Sequence, residues 1–281
     1  MLLQTFLTNF EESRAQRAVA DYLKEEADGS ARAEFMGHFL NTAFQPVFEL
    51  RSQQLHTVGF EAYLRPAAGN KDIPPAHYFR NLKAEDQSFT DRLCRELHVT
   101  NFLKQAKPQE TLSLNISRET LIDHQHQIEQ LAFEIKNLHI LDCPNTLQPY
   151  QLTIEINMAT DVDAGLIFAF TNQLRSIGVG MALEGFDADG ASFSRIVQNR
   201  PDVVKFNRSW LDADILDSRY INLVASTVTA IRAISAKAHL EYIETSQELA
   251  FAIACGFDRY QGYQLGTPSS ALQRDRITPN F

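Results

Sequence analysis

Seven polar side chains stand near the ends of otherwise apolar runs: Glu61 in HTVGFEAYL (56–64), Asn115 in LSLNI (112–116), Glu155 in LTIEI (152–156), Glu184 in VGMALEGF (179–186), Lys205 in VVKF (203–206), Glu241 in AHLEYI (238–243) and Gln261 in RYQGYQL (259–265). Taken singly, each is a buried polar group that finds a hydrogen-bond partner. Gathered at one place, several carboxylates and amides make the oxygen-rich surroundings that hard divalent cations prefer. The stretch ALEGFDADG (182–190) then runs from a strand end through Glu184 and Gly185 into Asp187, Asp189 and Gly190, residue types that build a turn and cap a helix.

Gathering them is a task for the backbone. With AFQPVFEL (43–50), the chain carries eight short runs rich in β-branched and aromatic residues. Between most of them lie segments with helical spacing, such as FTDRLCRELHVTNFLKQ, RYINLVASTVTAIRAIS and SQELAFAIACG. Strand and helix in alternation imply parallel βα units, and eight strands imply closure into a (β/α)8 TIM barrel. The first pair departs from the rule: about five residues separate Leu50 from His56, too few for a parallel crossover, so the first strand is antiparallel. In such barrels the functional side chains lie at the C-terminal ends of the strands, where the seven polar residues fall.

Composition removes whole classes of function. The chain has 281 residues, 44% of them hydrophobic, enough for a sizeable core, and a formal net charge of -9 that opposes direct binding to nucleic acid. Cys94, Cys143 and Cys255 form neither a disulfide framework nor a thiolate metal set. No apolar run approaches the roughly 18 residues of a membrane span, and a cytoplasmic location is expected. His124 and His126 lie in the polar segment IDHQHQIEQ without a third ligand and read as a solvated helix start.

Residues 1–33 form a separate unit in this reading, an N-terminal helical extension ahead of a barrel domain over 34–281. Leu3, Phe6, Leu7 and Phe10, then Ala15, Val19, Tyr22 and Leu23, recur at helical spacing before ADGSA (27–31) breaks the pattern. The stripe has two uses open to it: packing on its own barrel, or docking a protein partner or a second copy to form a homodimer.

The segments FQPVFEL, VGFEAYLRP, LSLNIS, LTIEI, MALEGFDADGASFSRI, PDVVKFN, EYIET and YQGYQLGTP, in this order over about residues 36–270, resemble successive motifs of the EAL family, the cyclic di-GMP phosphodiesterases of bacteria. The resemblance implies a (β/α)8 barrel with an antiparallel first strand, and a site where two Mg2+ or Mn2+ ions activate water to cut one phosphodiester bond. Glu61, Asn115, Glu155, Lys205, Glu241, Glu244 and Gln261 match family positions, and Arg65 matches the arginine that contacts substrate phosphate.

Against the same pattern the chain departs at several places. Glu184 and Gly185 stand where the family has two adjacent metal-holding aspartates, Asn207 where it has another aspartate, and Met158 where a glutamate orders a loop over the metals. Tyr242 replaces a glycine, and Tyr63 replaces the leucine of the Glu-Ala-Leu signature, where a phenol either stacks on guanine or fills its place. The expectation is a degenerate, catalytically inactive member acting through a protein partner. Glu61, Asn115, Glu155, Glu184 and Gln261 would be vestigial metal ligands retaining at most residual Mg2+ or Mn2+ binding, and Lys205, Glu241 and Glu244 vestigial catalytic groups. Cyclic di-GMP would meet Tyr63 and Arg65 weakly. The alternatives are a receptor that binds the dinucleotide without cutting it, and a weak metal-dependent phosphodiesterase.

Overall fold

The computed structural model describes residues 19–138, 147–158, 161–187, 190–212 and 214–279. In chain order its strands are β1 (Leu23–Glu25), β2 (Ala31–Phe35), β3 (His38–Arg51), β4 (Gln54–Ala68), β5 (Lys71–Asp72), β6 (Thr111–Asn115), β7 (Leu152–Asn157), β8 (Gly180–Phe186), β9 (Val203–Phe206), β10 (Lys237–Leu240), β11 (Arg259–Tyr260) and β12 (Arg276–Ile277). The helices are α1 (Pro75–Arg80), α2 (Ala84–Leu103), α3 (Arg118–Asp123), α4 (Ile128–Lys136), α5 (Ala164–Ser176), α6 (Gly190–Asn199), α7 (Ser218–Ala233) and α8 (Ser246–Cys255).

Strands β3, β4 and β6 to β11 close an eight-stranded mixed barrel. From β4 round to β11 each neighbour runs parallel, whereas β3 is antiparallel to both β4 and β11. The β3–β4 connection is a two-residue turn in which Ser52 and Gln53 have φ of 49° and 64°. Two positive φ values give the turn the twist that a tight hairpin requires. The strand pairing thus reaches further into the expected loop than the apolar runs suggested.

Helix boundaries follow local chemistry. Ser117, Asp163 and Asp217 cap α3, α5 and α7 with side-chain oxygens. Thr245 and Glu248 form a reciprocal capping box on α8, which ends at Gly256 in the left-handed region (φ 78°). His124 is the C-cap of α3, its Nδ1 2.9 Å from the Thr120 carbonyl oxygen, so the His124–His126 segment follows a helix instead of starting one.

Beyond the barrel, β3 and β4 are long enough to carry a lobe. β2 pairs antiparallel with the start of β3, His38 to Leu40, and β1 with β2. Beneath them a second apolar cluster, with Leu40, Leu64, Leu93 and Leu97 at its centre, is separate from the main core between barrel and helices. Tyr22, Phe35 and Phe89 meet there with ring centroids 5.2 to 5.5 Å apart.

This corrects the expected helical extension over its described part, residues 19–33, alone. Residues 1–18 lie outside the described residues, but Val19–Tyr22 is a single 3-10 turn, and Leu23–Glu25 and Ala31–Phe35 are strands. The boundary drawn after residue 33 cuts through β2. Tertiary pairing outweighs local helical spacing: Asn101, buried on α2, accepts from the Ala31 backbone N–H at 2.7 Å and donates to its carbonyl at 2.8 Å.

Candidate functional site

Alternation along each barrel strand turns every second side chain inward. Near the C-terminal ends of the strands this places Glu61, Glu155, Lys205, Glu241 and Gln261 in one buried group. Lys205 is its centre. The Nζ lies 2.8 Å from Glu61 Oε2, 2.7 Å from Glu155 Oε2 and 2.9 Å from Glu241 Oε1. A fully buried ammonium is costly to desolvate and is held only where carboxylates pair with it at hydrogen-bond distance.

Glu61 receives two further donors, Gln261 Nε2 at 3.1 Å on the oxygen that faces Lys205 and Asn115 Nδ2 at 3.2 Å on the other. Burial pushes its pKa up, but the Lys205 charge and these hydrogen bonds outweigh burial and hold Glu61 below the ordinary carboxylate range. Glu155 has only the Lys205 hydrogen bond among the described residues. Burial and the Glu61 charge push its pKa well above the usual value. Glu241 is pushed up to about 8 by burial, against the pull of Lys205. Burial also raises Glu184, which is half-buried at the rim. Burial would lower Lys205, but Glu155, Glu241 and Glu61 together carry it well above the ordinary lysine value. The amide donors are therefore spent on Glu61, while the other carboxyls share Lys205 alone and hold protons more tightly. Glu241 Oε2 and Gln261 Oε1 are buried without a hydrogen-bond partner among the described residues.

The other predicted residues are placed differently. Tyr63 and Arg65 follow Glu61 on β4, with the Arg65 guanidinium 5.7 Å from the Tyr63 ring centre and Arg65 Nη1 donating to the Leu64 carbonyl at 3.1 Å. Burial and the Glu61 charge drive the Tyr63 phenol pKa well up. Glu244 does not join it. Its side chain is exposed, 4.0 Å from Arg208, because the backbone turns at Tyr242 (φ 61°) and Glu248 Oε2 accepts from the N–H groups of Glu244 and Thr245. Arg208 fixes that turn by donating to the Tyr242 carbonyl at 3.0 Å and pairing with Glu248 at 2.8 Å.

Gly185 has φ of 81°, a conformation glycine adopts without penalty. Asn207 donates from Nδ2 to Asp187 Oδ1 at 2.8 Å and accepts from the Ser209 N–H at 3.0 Å, so its amide serves the β9 loop. Asp187 Oδ1 also accepts from Ser209 Oγ at 2.8 Å, which ties the end of β8 to the loop after β9, while Asp189 lies outside the described residues. Met158 is buried, its N–H donating to the Glu184 carbonyl at 2.8 Å. One member was missed. Gln45, the β3 partner of Glu61, accepts from Gln261 Nε2 at 3.2 Å and donates to the Gly266 carbonyl at 3.0 Å. A buried amide inside the apolar run FQPVFEL was the available signal.

Comparison with known proteins gives this geometry a lineage. The EAL domain profile matches residues 32–268. The chain belongs to the EAL domain family. Escherichia coli PdeF, a cyclic di-GMP phosphodiesterase, is 23% identical over 288 residues, covering 95% of this chain and 36% of PdeF. Among solved structures, the EAL protein YkuI of Bacillus subtilis, in complex with substrate c-di-GMP and calcium, has a TM-score of 0.69 at 22% identity, covering 84% of this chain and 56% of YkuI. The EAL domain of FimX from Pseudomonas aeruginosa, bound to c-di-GMP, has a TM-score of 0.70 at 20% identity, covering 84% of this chain and 93% of that domain. The EAL chain thus spans about a third of PdeF and about half of YkuI. Among its described residues no helix is long and apolar enough to cross a membrane.

Proposed function

We propose that this EAL chain is a catalytically silent member of cyclic di-GMP signalling that works in the cytoplasm through a protein partner. The observation that carries the reading is the Asn207 amide, which stands where the resemblance implies a metal-holding aspartate and is held by Asp187 and Ser209 beside a Lys205 that shares its carboxylates with no second cation site among the described residues. Both Glu61 oxygens already accept hydrogen bonds, Gly185 supplies no ligand atom, and the Asn207 amide is engaged with Asp187 and Ser209. As packed, the donor set does not fit two divalent cations, and no hydrolytic step is drawn through them.

A second reading, a receptor that binds cyclic di-GMP without cutting it, draws on the Arg65–Tyr63 pair at the mouth. It is the weaker one. A dinucleotide brings two negative charges to a site whose carboxylates already outnumber its ammonium, and on this reading the Tyr63 phenol fills the place of guanine instead of stacking on it. A dissociation constant above roughly 10 μM is expected, less than about 7 kcal/mol of binding free energy.

The test pairs chromatography with calorimetry. The chain is incubated with cyclic di-GMP and Mg2+ or Mn2+, and no linear dinucleotide is expected. Linear product that Glu61→Ala abolishes overturns the silent reading. Sub-micromolar calorimetric affinity that Arg65→Ala destroys installs the receptor reading instead.

A further inference from the structure

On the outside of the barrel, away from the mouth, α2 and α4 flank a cavity of about 290 Å3 lined by Arg92, Arg95, Glu96, Phe133, Glu134, Asn137 and Leu138. Its polar groups are incompletely matched. Arg95 is 2% exposed and ion-paired to Asp91 through Nη1, yet its Nε is buried with no hydrogen-bond partner among the described residues. Glu134 Oε2 is likewise buried and unpartnered. Arg92 makes no ion pair among the described residues, and the Phe133 ring is 60% exposed. Burial pushes the Glu96 carboxyl up to about 7 against the pull of Arg92 and Arg95.

Bridging water is the simple alternative. A water takes about 30 Å3 of liquid volume, so the cavity is several times larger than one bridge between two orphaned atoms requires. It is also at the small end of ligand pockets, which run from roughly 300 Å3 upward. Spare guanidinium donors on α2, an unpartnered carboxylate oxygen at Glu134 on α4 and an apolar wall at Phe133 and Leu138 describe the complement of a small molecule. That molecule carries a carboxylate, an ammonium and a short apolar group.

We propose that the cavity between α2 and α4 is a binding site for a free α-amino acid with an apolar side chain. Arg92 and Arg95 take its carboxylate, Glu134 and Glu96 its ammonium, and Phe133 and Leu138 its side chain. Occupancy would be felt at the mouth through one carboxylate. Asp91 Oδ2, paired with Arg95, also accepts from the Ser117 N–H at 3.3 Å and from Thr120 Oγ1 at 2.7 Å, and Ser117 lies two residues after Asn115.

The experiment titrates the full chain with L-leucine, L-isoleucine, L-methionine and L-phenylalanine by calorimetry. Isocaproate, which is leucine without its amine, and isoamylamine, which is leucine without its carboxylate, are the controls. Saturable binding of at least one amino acid is expected, weakened at least tenfold by Arg92→Gln and by Glu134→Gln and absent for both controls. A direct readout accompanies it: in a 15N-labelled wild-type chain, the Arg95 Nε–H signal should shift on titration. No saturable binding by any of the four, binding untouched by both substitutions, a control that binds as tightly as leucine, or an unmoved Arg95 signal would each overturn the proposal.

Discussion

The ammonium of Lys205 and the carboxylate of Glu155 lie 2.7 Å apart on β9 and β7, both fully enclosed, with β8 between them in the barrel wall. A charge pair buried in this way adds little over an apolar core while intact, and costs heavily when one partner is removed.

Lys205→Met should therefore destabilise the chain by about 3–5 kcal/mol, because it leaves Glu61, Glu155 and Glu241 without their shared cation. Urea unfolding measures the loss. A change below about 1 kcal/mol would mean that the three carboxyls are neutral in the folded chain and that the ammonium does not hold them.

Stability should fall with rising pH across the range set by Glu241. A carboxyl whose pKa is raised on folding holds its proton more tightly in the folded chain. Its contribution is complete below the ordinary value near 4.5 and is lost as pH climbs through about 8. Glu61 has the opposite sign: held below the ordinary range, it contributes above that range and its share is lost on acidification. In Glu241→Gln the decline of melting temperature between pH 4.5 and 8 should flatten. A variant that declines as steeply as wild type would place the proton on another group.

Tyr242 offers a test of backbone strain. Its left-handed φ of 61° costs a residue with a β-carbon roughly 1–2 kcal/mol, while glycine in its place loses roughly 0.5–1 kcal/mol in chain entropy. The two nearly cancel, and the ring is 46% exposed. Tyr242→Gly should then change stability by less than about 1 kcal/mol, where truncating a buried aromatic costs about 3–5 kcal/mol. A loss in that larger range, read by thermal unfolding, would show that the ring packs as core.

The barrel was legible because VVKF and LTIEI are short, apolar and β-branched, and because so few residues link Leu50 to His56. What escaped depended on distant partners. The run RYQGYQL promised a strand to residue 265, but β11 stops at Tyr260, since Gly262 lies so close to Ile243 that a β-carbon there would meet its carbonyl oxygen at 2.1 Å. β10 stops at Leu240 for a related reason: the chain turns at Tyr242, and that turn carries Glu244 out of the group it was expected to join. The hairpin of β1 and β2 is specified by Asn101, 70 residues from Ala31, which no local pattern announces. Lys205 was visible as a polar residue in an apolar strand, but its position among three carboxylates depends on strands that are neighbours only once the ring closes.

That closure also sets when the site can exist. Lys205 reaches back 144 residues to Glu61, Gln261 reaches back 200, and β11 meets β3 through one register pair, Tyr260 with Phe48. Contacts so far apart in sequence form late and slowly, because the loops they close must be immobilised before the contact rewards it. As the chain emerges during synthesis, the hairpin of β3 and β4 presents Glu61 to water long before any counter-charge arrives. The buried cluster is therefore complete only when the ring closes, and a nascent chain stopped short of residue 203 would contain a barrel wall without Lys205 to seal it.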